Sequence, residues 1–262
     1  MKTWKIVILS SLLVSGVAVA GNEDKGGGGW PPGGGSSGGS GVTLPDIPLI
    51  TGKAPIVPQN GKWDQAIHIY QPGTGNFSQA NQASSSGSVI DVHQYGNYGS
   101  STVNQTATKS AVFVNQYGTG NQSSATQNGT TSSISVTQKG TNNTSSATQQ
   151  LGGAGNAIVV SQDGIANSSG VKQSGTGNSS SVLQTGNLNL SDIVQAGKNS
   201  IVDVQQTVGS NKSYVTQSAN DSAILVAQTN AGNFSNVNQT HNTAVTYVQQ
   251  SGLGNTSFVN QN

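Results

Sequence analysis

The stretch QYGTGNQSSATQ, residues 116–127, has a glutamine at each end, a Gly-x-Gly-Asn turn signal in its middle and few hydrophobic side chains. Close variants of it begin at Gln71, Gln173, Gln228 and Gln250. A peptide this poor in apolar residues cannot fold alone, because its few aliphatic side chains do not offset the entropy lost on ordering its backbone. We therefore interpret it as one unit of a repeat whose copies complete each other's interior.

Two columns of glutamines run through the chain from residue 65 onward. Within each column the spacing is 22 residues, except at two joins, before Ser88 and before Asn156, where SSSG and QLGGAG predict enlarged turns. Nine units follow, at 65–87, 88–109, 110–131, 132–155, 156–177, 178–199, 200–221, 222–243 and 244–262. The first column is Gln71, Gln94, Gln116, Gln138, Gln162, Gln184, Gln206, Gln228 and Gln250, and the second, eleven residues later, is Gln82, Gln105, Gln127, Gln149, Gln173, Gln195, Gln217, Gln239 and Gln261.

The residues before each first glutamine alternate with the period of two that is typical of a β-strand. Valine or isoleucine stands two residues before it in all nine units, and most units have another aliphatic residue four before it. After a turn that usually contains glycine, a second strand is predicted to begin at an asparagine, which unit two replaces with Gly99. Two residues after this position every unit has serine. Two residues before the second glutamine every unit has Ala, Val or Ile. The asparagines are Asn76, Asn121, Asn143, Asn167, Asn189, Asn211, Asn233 and Asn255.

This pattern predicts an all-β chain, a β-solenoid of nine strand-turn-strand rungs that form two parallel, in-register, amyloid-like sheets around one interior. Strands of seven residues would alternate with turns of four. Ser180, at a usually aliphatic position, would face Ile193 across the interior. The glutamines and asparagines would sit at the two ends of the interior and bond to their equivalents about 4.8 Å above and below. Since Gln261 and Asn262 still follow the pattern, we expect uncapped ends with unpaired strand edges.

The first 64 residues lack the repeat. Residues 1–20, with Lys2 and Lys5 before an apolar run, are predicted to be a signal peptide that signal peptidase cleaves after Ala20. Residues 21–64 are rich in glycine and proline and are predicted to be a flexible leader, used in secretion or targeting or as a plain linker. The chain has no cysteine, 7% charged residues and a net charge of +1, which disfavours an enzyme core, a disulfide scaffold and a nucleic-acid partner.

The units resemble the curlin repeat, Ser-x5-Gln-x-Gly-x2-Asn-x-Ala-x3-Gln. Unit three carries it as Ser110, Gln116, Gly118, Asn121 and Gln127. The usual alanine is serine in every unit, asparagine replaces the leading serine at 156 and 178, and units seven and eight lack the turn glycine.

Within this family, the chain most resembles a major curli fibre subunit, here with nine repeats. It implies a secreted protein that self-polymerises into extracellular functional amyloid at the bacterial cell surface, builds biofilm matrix and mediates adhesion. The partners it implies are other copies of the chain, a nucleating minor curlin, an outer-membrane secretion pore and periplasmic accessory proteins.

Two other functions stay open, a minor curlin nucleator and a monomeric β-solenoid that binds a ligand or surface. We expect no enzyme activity, catalytic residue, cofactor or metal. His68, His93 and His241 occupy unrelated repeat positions and are predicted to be separate surface imidazoles. Single aspartates are predicted to lie on turns or outward positions, where their charge slows premature aggregation; they are Asp91, Asp163, Asp192, Asp203 and Asp221.

Overall fold

A computed structural model describes residues 65–83 and 86–262. The predicted signal peptide and leader lie outside these residues. Of the residues described, none form a helix long and apolar enough to cross a lipid bilayer. The eighteen strands are β1 (Gln65–Tyr70), β2 (Phe77–Gln82), β3 (Ser88–Asn97), β4 (Ser100–Gln105), β5 (Ala111–Thr119), β6 (Gln122–Gln127), β7 (Ser133–Thr141), β8 (Thr144–Gln149), β9 (Ala157–Ile165), β10 (Ser168–Gln173), β11 (Ser179–Asn187), β12 (Leu190–Gln195), β13 (Ile201–Gln206), β14 (Lys212–Gln217), β15 (Ala223–Gln228), β16 (Phe234–Gln239), β17 (Val245–Gln250) and β18 (Thr256–Gln261).

The strands form a β-solenoid in which each repeat unit makes one turn, here called a rung. The nine odd-numbered strands make one sheet and the nine even-numbered strands make the other, each in chain order. Pairing is parallel and in register, so that Gln116 lies beside Gln94 and Gln138 in the first sheet. The predicted fold class is confirmed.

One interior runs the length of the solenoid between the two sheets. Strand residues alternate between it and the outer surface, so Ile134 and Val136 are fully buried, while Ser135 and Thr137, which follow them, are partly exposed. The aliphatic side chains that point inward form one continuous cluster from Ile90 to Val248. This cluster, here called the apolar seam, is thin, because glutamine, asparagine and serine fill the other inward positions.

The second strands begin one residue later than predicted. Asn143, for example, was expected to be the first strand residue, but β8 begins at Thr144. The backbone N–H of Asn143 donates to the side-chain Oδ1 of Asn121 (3.0 Å) in place of a backbone carbonyl. A side chain therefore supplies the first bond of each such strand, and the backbone ladder starts after it.

The first strands of rungs two to six are longer than predicted and run through the turn glycine. A Cβ on Gly118 would lie 2.1 Å from the carbonyl oxygen of Gly140 in the next rung, so this close backbone approach requires glycine. In rungs seven and eight, Val208 and Asn230 replace the glycine, and β13 and β15 end at the first glutamine. Strand β17 also ends at its first glutamine although Gly252 follows, so the glycine permits the longer strand but does not by itself produce it.

The enlarged turn before Asn156 is present. Its extra residues form a surface turn around Gly152, with φ of 82°, and Leu151 is 78% exposed. The other enlarged turn contains residues 84 and 85, which lie outside the described part of the chain.

Val208 is strained, with φ of 80° in the left-handed region, which costs a residue other than glycine about 1–2 kcal/mol. Its side chain is 53% exposed, so little packing depends on it. We expect Val208→Gly to raise the free energy of unfolding by about 0.5–1 kcal/mol, since the greater freedom of glycine in the unfolded chain offsets part of the gain. Guanidinium unfolding of the dispersed chain measures this.

The control is Thr207→Gly at the preceding residue, where φ is not positive. There the glycine relieves no strain and should lower stability by about 0.5–1 kcal/mol. Equal losses in the two variants would contradict the assignment of strain to Val208.

Candidate functional site: amide ladders in an open-ended interior

The first glutamine column forms a ladder of side-chain amides along the interior. Each Nε2 donates to the Oε1 of the glutamine in the next rung, beginning with Gln71 to Gln94. From Gln94 to Gln250 the donor-acceptor distances are 2.6 to 2.9 Å. All of these donors point toward the rung of higher number, so the ladder has a direction.

The second column forms a parallel ladder at the other end of the interior. It runs from Gln82 to Gln261 with Nε2 to Oε1 distances of 2.7 to 3.3 Å and the same direction. Between Gln105 and Gln239 these side chains are fully buried. Both predicted columns are thus brought together as continuous chains of hydrogen bonds, which polarise one another in a water-poor interior.

The same amides tie the two sheets together. In the first column, Gln138 Nε2 also donates to the backbone carbonyl of Gln122 at 2.9 Å, in the opposite sheet. In the second, Gln149 Nε2 donates to the carbonyl of Ser133 at 3.0 Å. Most buried glutamines therefore bond both along the stack and across it, which explains why a polar residue occupies these positions.

The asparagine column lies at the turn between the two strands of a rung and bonds from one rung to the next. Asn167 Nδ2 donates to the carbonyl of Gly186 at 2.8 Å, and Asn189 N–H donates to Asn167 Oδ1 at 3.0 Å. The same backbone N–H to Oδ1 bond recurs down the column as far as Asn255. In rung two, Gly99 still donates its N–H to Asn76 Oδ1 (2.8 Å) but has no side chain to pass the ladder on.

The sequence prediction missed a fourth ladder, at the start of units two to eight. Ser132 N–H donates to Ser110 Oγ (3.1 Å), and Ser110 Oγ donates in turn to the carbonyl of Gly129 (3.1 Å). Asn156 and Asn178 take over the role in rungs five and six, where Asn178 N–H donates to Asn156 Oδ1 (2.9 Å). The signal was present, because these residues stand six before a first glutamine as the asparagines stand six before a second.

A column of serines in the second strands has no such bonds. Within the described residues, eight Oγ atoms are buried and have no hydrogen-bond partner. They belong to Ser78, Ser101, Ser123, Ser145, Ser169, Ser191, Ser213 and Ser235. Each is a local cost, because a buried hydroxyl without a partner loses its bonds to water and gains none.

Ser180 is fully buried and bonds to the second glutamine column. Its Oγ accepts from Gln173 Nε2 (3.0 Å) and donates to Gln195 Oε1 (2.8 Å). Thr246 makes the equivalent bonds with Gln239 and Gln261 in the last rung. The two exceptions to the aliphatic column therefore join the amide ladder.

The aspartates lie on the outside, as predicted, on outward strand positions or in turns. Asp163, Asp192 and Asp221 are exposed. Burial against its neighbours raises the pKa of the Asp203 carboxyl above its ordinary value, although hydrogen bonds from Gln205 and Ser181 oppose the rise. Gln205 Nε2 donates to Asp203 Oδ2 at 3.0 Å.

Two of the three histidines are not separate, and that prediction is wrong. His68 Nδ1 lies 2.9 Å from Asp91 Oδ1, and His93 Nε2 lies 3.0 Å from the same oxygen. The sequence held a signal, because His68 and Asp91 both stand three residues before a first glutamine and His93 stands one before. Parallel in-register pairing places these columns side by side. His241 is apart from them, in the exposed turn after β16.

The two ends of the solenoid are less covered than its middle. In the first rung, Ile67 and Ile69 occupy the inward columns of the sheet, yet they are 46% and 39% exposed. In the last rung, the inward residues of β18 are only partly buried. No described element lies across the outer edge of β17 or β18, which are the final strands of their sheets.

Comparison of the chain with protein-family models and with curated proteins gave no match. The fold and its ladders define the class: a parallel, in-register β-solenoid with directional amide ladders, whose terminal strands no element of residues 65–83 and 86–262 covers.

Proposed function

We propose that the protein is the structural subunit of an extracellular fibre, which grows as copies of the chain stack head to tail along the solenoid axis. The observation that carries this proposal is that the last rung presents the columns with which the first rung begins. Gln250 and Gln261 end the ladders that Gln71 and Gln82 start. A second copy would therefore add a rung of the kind already repeated nine times.

The direction of the ladders supports head-to-tail contact in particular. Within the chain every bond between ladder glutamines runs from Nε2 to the Oε1 of the next rung, so a continued ladder would use Gln250 Nε2 at the last end and Gln71 Oε1 at the first. A head-to-tail junction pairs donor with acceptor in both columns, whereas two last ends would set donors against donors. A contact between unlike surfaces does not close on itself, and it generates an open filament.

The apolar seam supports the same arrangement. At a head-to-tail junction Val248 would continue toward Ile69, and Val259 toward Ala80, because these residues occupy the same columns. The junction would cover the exposed faces of Ile67 and Ile69 at the first end. Association would thus bury apolar surface and pair strand edges, the two features that make open edges prone to polymerise.

The natural setting we propose is that of the curlin family, whose repeat the units resemble. The chain would be exported with its signal peptide removed, pass through an outer-membrane pore with periplasmic accessory proteins, and polymerise on a nucleating minor curlin. The fibre would build biofilm matrix and mediate surface adhesion. A minor, nucleating subunit is the second candidate, because it would use the same uncovered rungs. A monomeric binding solenoid would have to leave these edges unused.

Self-assembly of the purified chain after signal removal tests the proposal. At micromolar concentration and neutral pH we expect a lag, then fibres with a meridional diffraction spacing of about 4.8 Å. The variant Gln250→Ala with Gln261→Ala should lengthen the lag and slow elongation, since each lost amide leaves partners unsatisfied at about 1–3 kcal/mol per group.

The matched control changes Thr256→Ala and Asn260→Ala in the same rung, both exposed on the outward face. Asn260 Oδ1 accepts from Asn238 Nδ2 (3.1 Å), but that exposed bond can be replaced by water. Equal kinetics for the two double variants would remove the ladders from the growth mechanism. A chain that stays dispersed for days would overturn the proposed function.

A further inference from the structure

The outer face of the first sheet carries two imidazoles and one carboxylate that converge across rungs one and two. β1 and β3 pair in parallel, with His68 beside Asp91 and Tyr70 beside His93. Asp91 and His93 are two residues apart in β3, so all three ligand-bearing side chains project from the same side of the sheet. Among the described residues, this is the group of histidines and carboxylates that meets the geometry of a metal site.

The three nearest donor atoms form a small triangle. Its edges are 2.9 Å from His68 Nδ1 to Asp91 Oδ1, 3.0 Å from Asp91 Oδ1 to His93 Nε2, and 3.3 Å between the two nitrogens. Ligands about 2.1 Å from one metal ion are about 3.0 Å apart at right angles and about 3.4 Å apart at tetrahedral angles. The observed edges lie within about 0.1 Å of this range, so one ion can contact all three atoms with little movement of the side chains.

We propose that His68, Asp91 and His93 bind a divalent transition-metal ion of the zinc and copper kind. Imidazole nitrogen suits these ions, and one carboxylate oxygen completes a three-ligand set that leaves further positions to water. The ligand side chains are 25%, 29% and 27% exposed, which gives an ion a path from solvent. The proposal concerns one chain and does not depend on fibre formation.

The surroundings hold the ligands in place. The His93 ring packs edge-on against Tyr70 and Tyr95, with centroids 5.8 and 5.9 Å away. Tyr95 Oη lies 3.5 Å from His93 Nδ1, the nitrogen that would carry the proton when Nε2 binds the ion. A partner on the second nitrogen fixes the tautomer and ring orientation of metal-binding histidines. Tyr95 in turn stacks on Tyr117 at 4.9 Å, which extends the support to rung three.

A bound ion would cross-link the first strand of the solenoid to the second. β1 is the edge strand of its sheet, paired on one side with β3 among the described residues, and its inward side chains are partly exposed. His68 belongs to β1, whereas Asp91 and His93 belong to β3. Because the ion would bind the paired arrangement and not the separated strands, it should favour the ordered first rung.

The direct test is equilibrium dialysis of the full chain after signal removal, prepared without a histidine tag, against ZnCl2 at neutral pH. We expect about one zinc ion per chain. The variant His68→Ala with His93→Ala should weaken binding by at least roughly 10–100-fold, and Asp91→Asn should weaken it less, since the amide oxygen keeps some donor capacity but no charge. His241→Ala is the matched control and should bind as the unmodified chain does.

Two spectroscopic readouts identify the site independently of stoichiometry. With CuCl2, electron paramagnetic resonance should show nitrogen hyperfine structure from two imidazoles, absent in the double variant and retained in His241→Ala. Addition of zinc should slow amide hydrogen exchange in β1 and leave β17 unchanged. Failure of the unmodified chain to bind zinc would overturn the proposal and leave a hydrogen-bonded cluster only. Unaltered binding by the double variant would place the ion elsewhere and overturn it too.

Discussion

Replacing Gln138 with alanine should lower the free energy of unfolding by at least about 3 kcal/mol. The substitution leaves several buried polar groups without hydrogen-bond partners, and each such group costs about 1–3 kcal/mol. Gln138 Oε1 accepts from Gln116 Nε2 at 2.8 Å, and its own Nε2 donates to Gln162 Oε1 and to the carbonyl of Gln122, both at 2.9 Å. The side chain is fully buried in the fourth rung, so water has no ready route to replace these bonds. Guanidinium unfolding of the dispersed chain measures the loss.

The matched control is Gln205→Ala, the same substitution on the outward face. Gln205 is exposed, and its side chain bonds only to Asp203 among the described residues. Water can take over that bond, so the change should stay within about 0.5 kcal/mol. A loss at Gln138 as small as the loss at Gln205 would show that the ladder contributes little to stability.

The serines of the second strands should have the opposite effect. Ser191 and Ser213 are fully buried, and their hydroxyls have no partner among the described residues. We expect Ser191→Ala to raise the free energy of unfolding by about 1 kcal/mol, and the triple change at Ser145, Ser169 and Ser191 by about 3 kcal/mol, because each alanine removes the cost of a buried, unsatisfied hydroxyl. The denaturant midpoint, taken at one protein concentration, measures the gain.

The control is Ser110→Ala, the same substitution at a serine that does make hydrogen bonds, and it should lower the free energy of unfolding. The single hydroxyl hydrogen of Ser110 is shared between the carbonyls of Thr108 (2.8 Å) and Gly129 (3.1 Å), and Oγ accepts from the N–H of Ser132 (3.1 Å). Its loss should destabilise the chain by about 1–3 kcal/mol. Should Ser191→Ala destabilise to the same extent, the serine column makes bonds that its geometry does not show. A gain in stability for Ser191→Ala would explain why the curlin repeat has alanine at the position that the serine column occupies here.

The fold could be predicted because three regularities agree along the chain. A spacing of 22 residues, an alternation of period two and turn residues at regular positions leave one arrangement in which all units bury the same faces. The first and last residues of each strand were harder to predict than the fold. They depend on whether a backbone N–H bonds to a carbonyl or to a side chain, as at Asn143, and on a close approach between rungs at Gly118.

The candidate site was predictable in part for the same reason. Column membership identified the glutamines and asparagines that line the interior, since a buried position shared by nine units must suit all of them. It passed over the leading serines, whose hydroxyls act as the asparagine amides do. It also passed over His68, Asp91 and His93, because their column positions are filled by unlike residues in the other units and carry no periodic signal.

The sequence by itself determined the rung, the two parallel sheets and the faces that point inward, because repetition with a fixed period specifies a register without any long-range information. Only the tertiary structure decided the direction of the amide ladders, the lone hydroxyls of the serine column and the convergence of two imidazoles on one carboxylate. Each of these depends on side-chain rotamers and on distances of about 3 Å between neighbouring rungs, at which a hydrogen bond or a metal contact is made or missed.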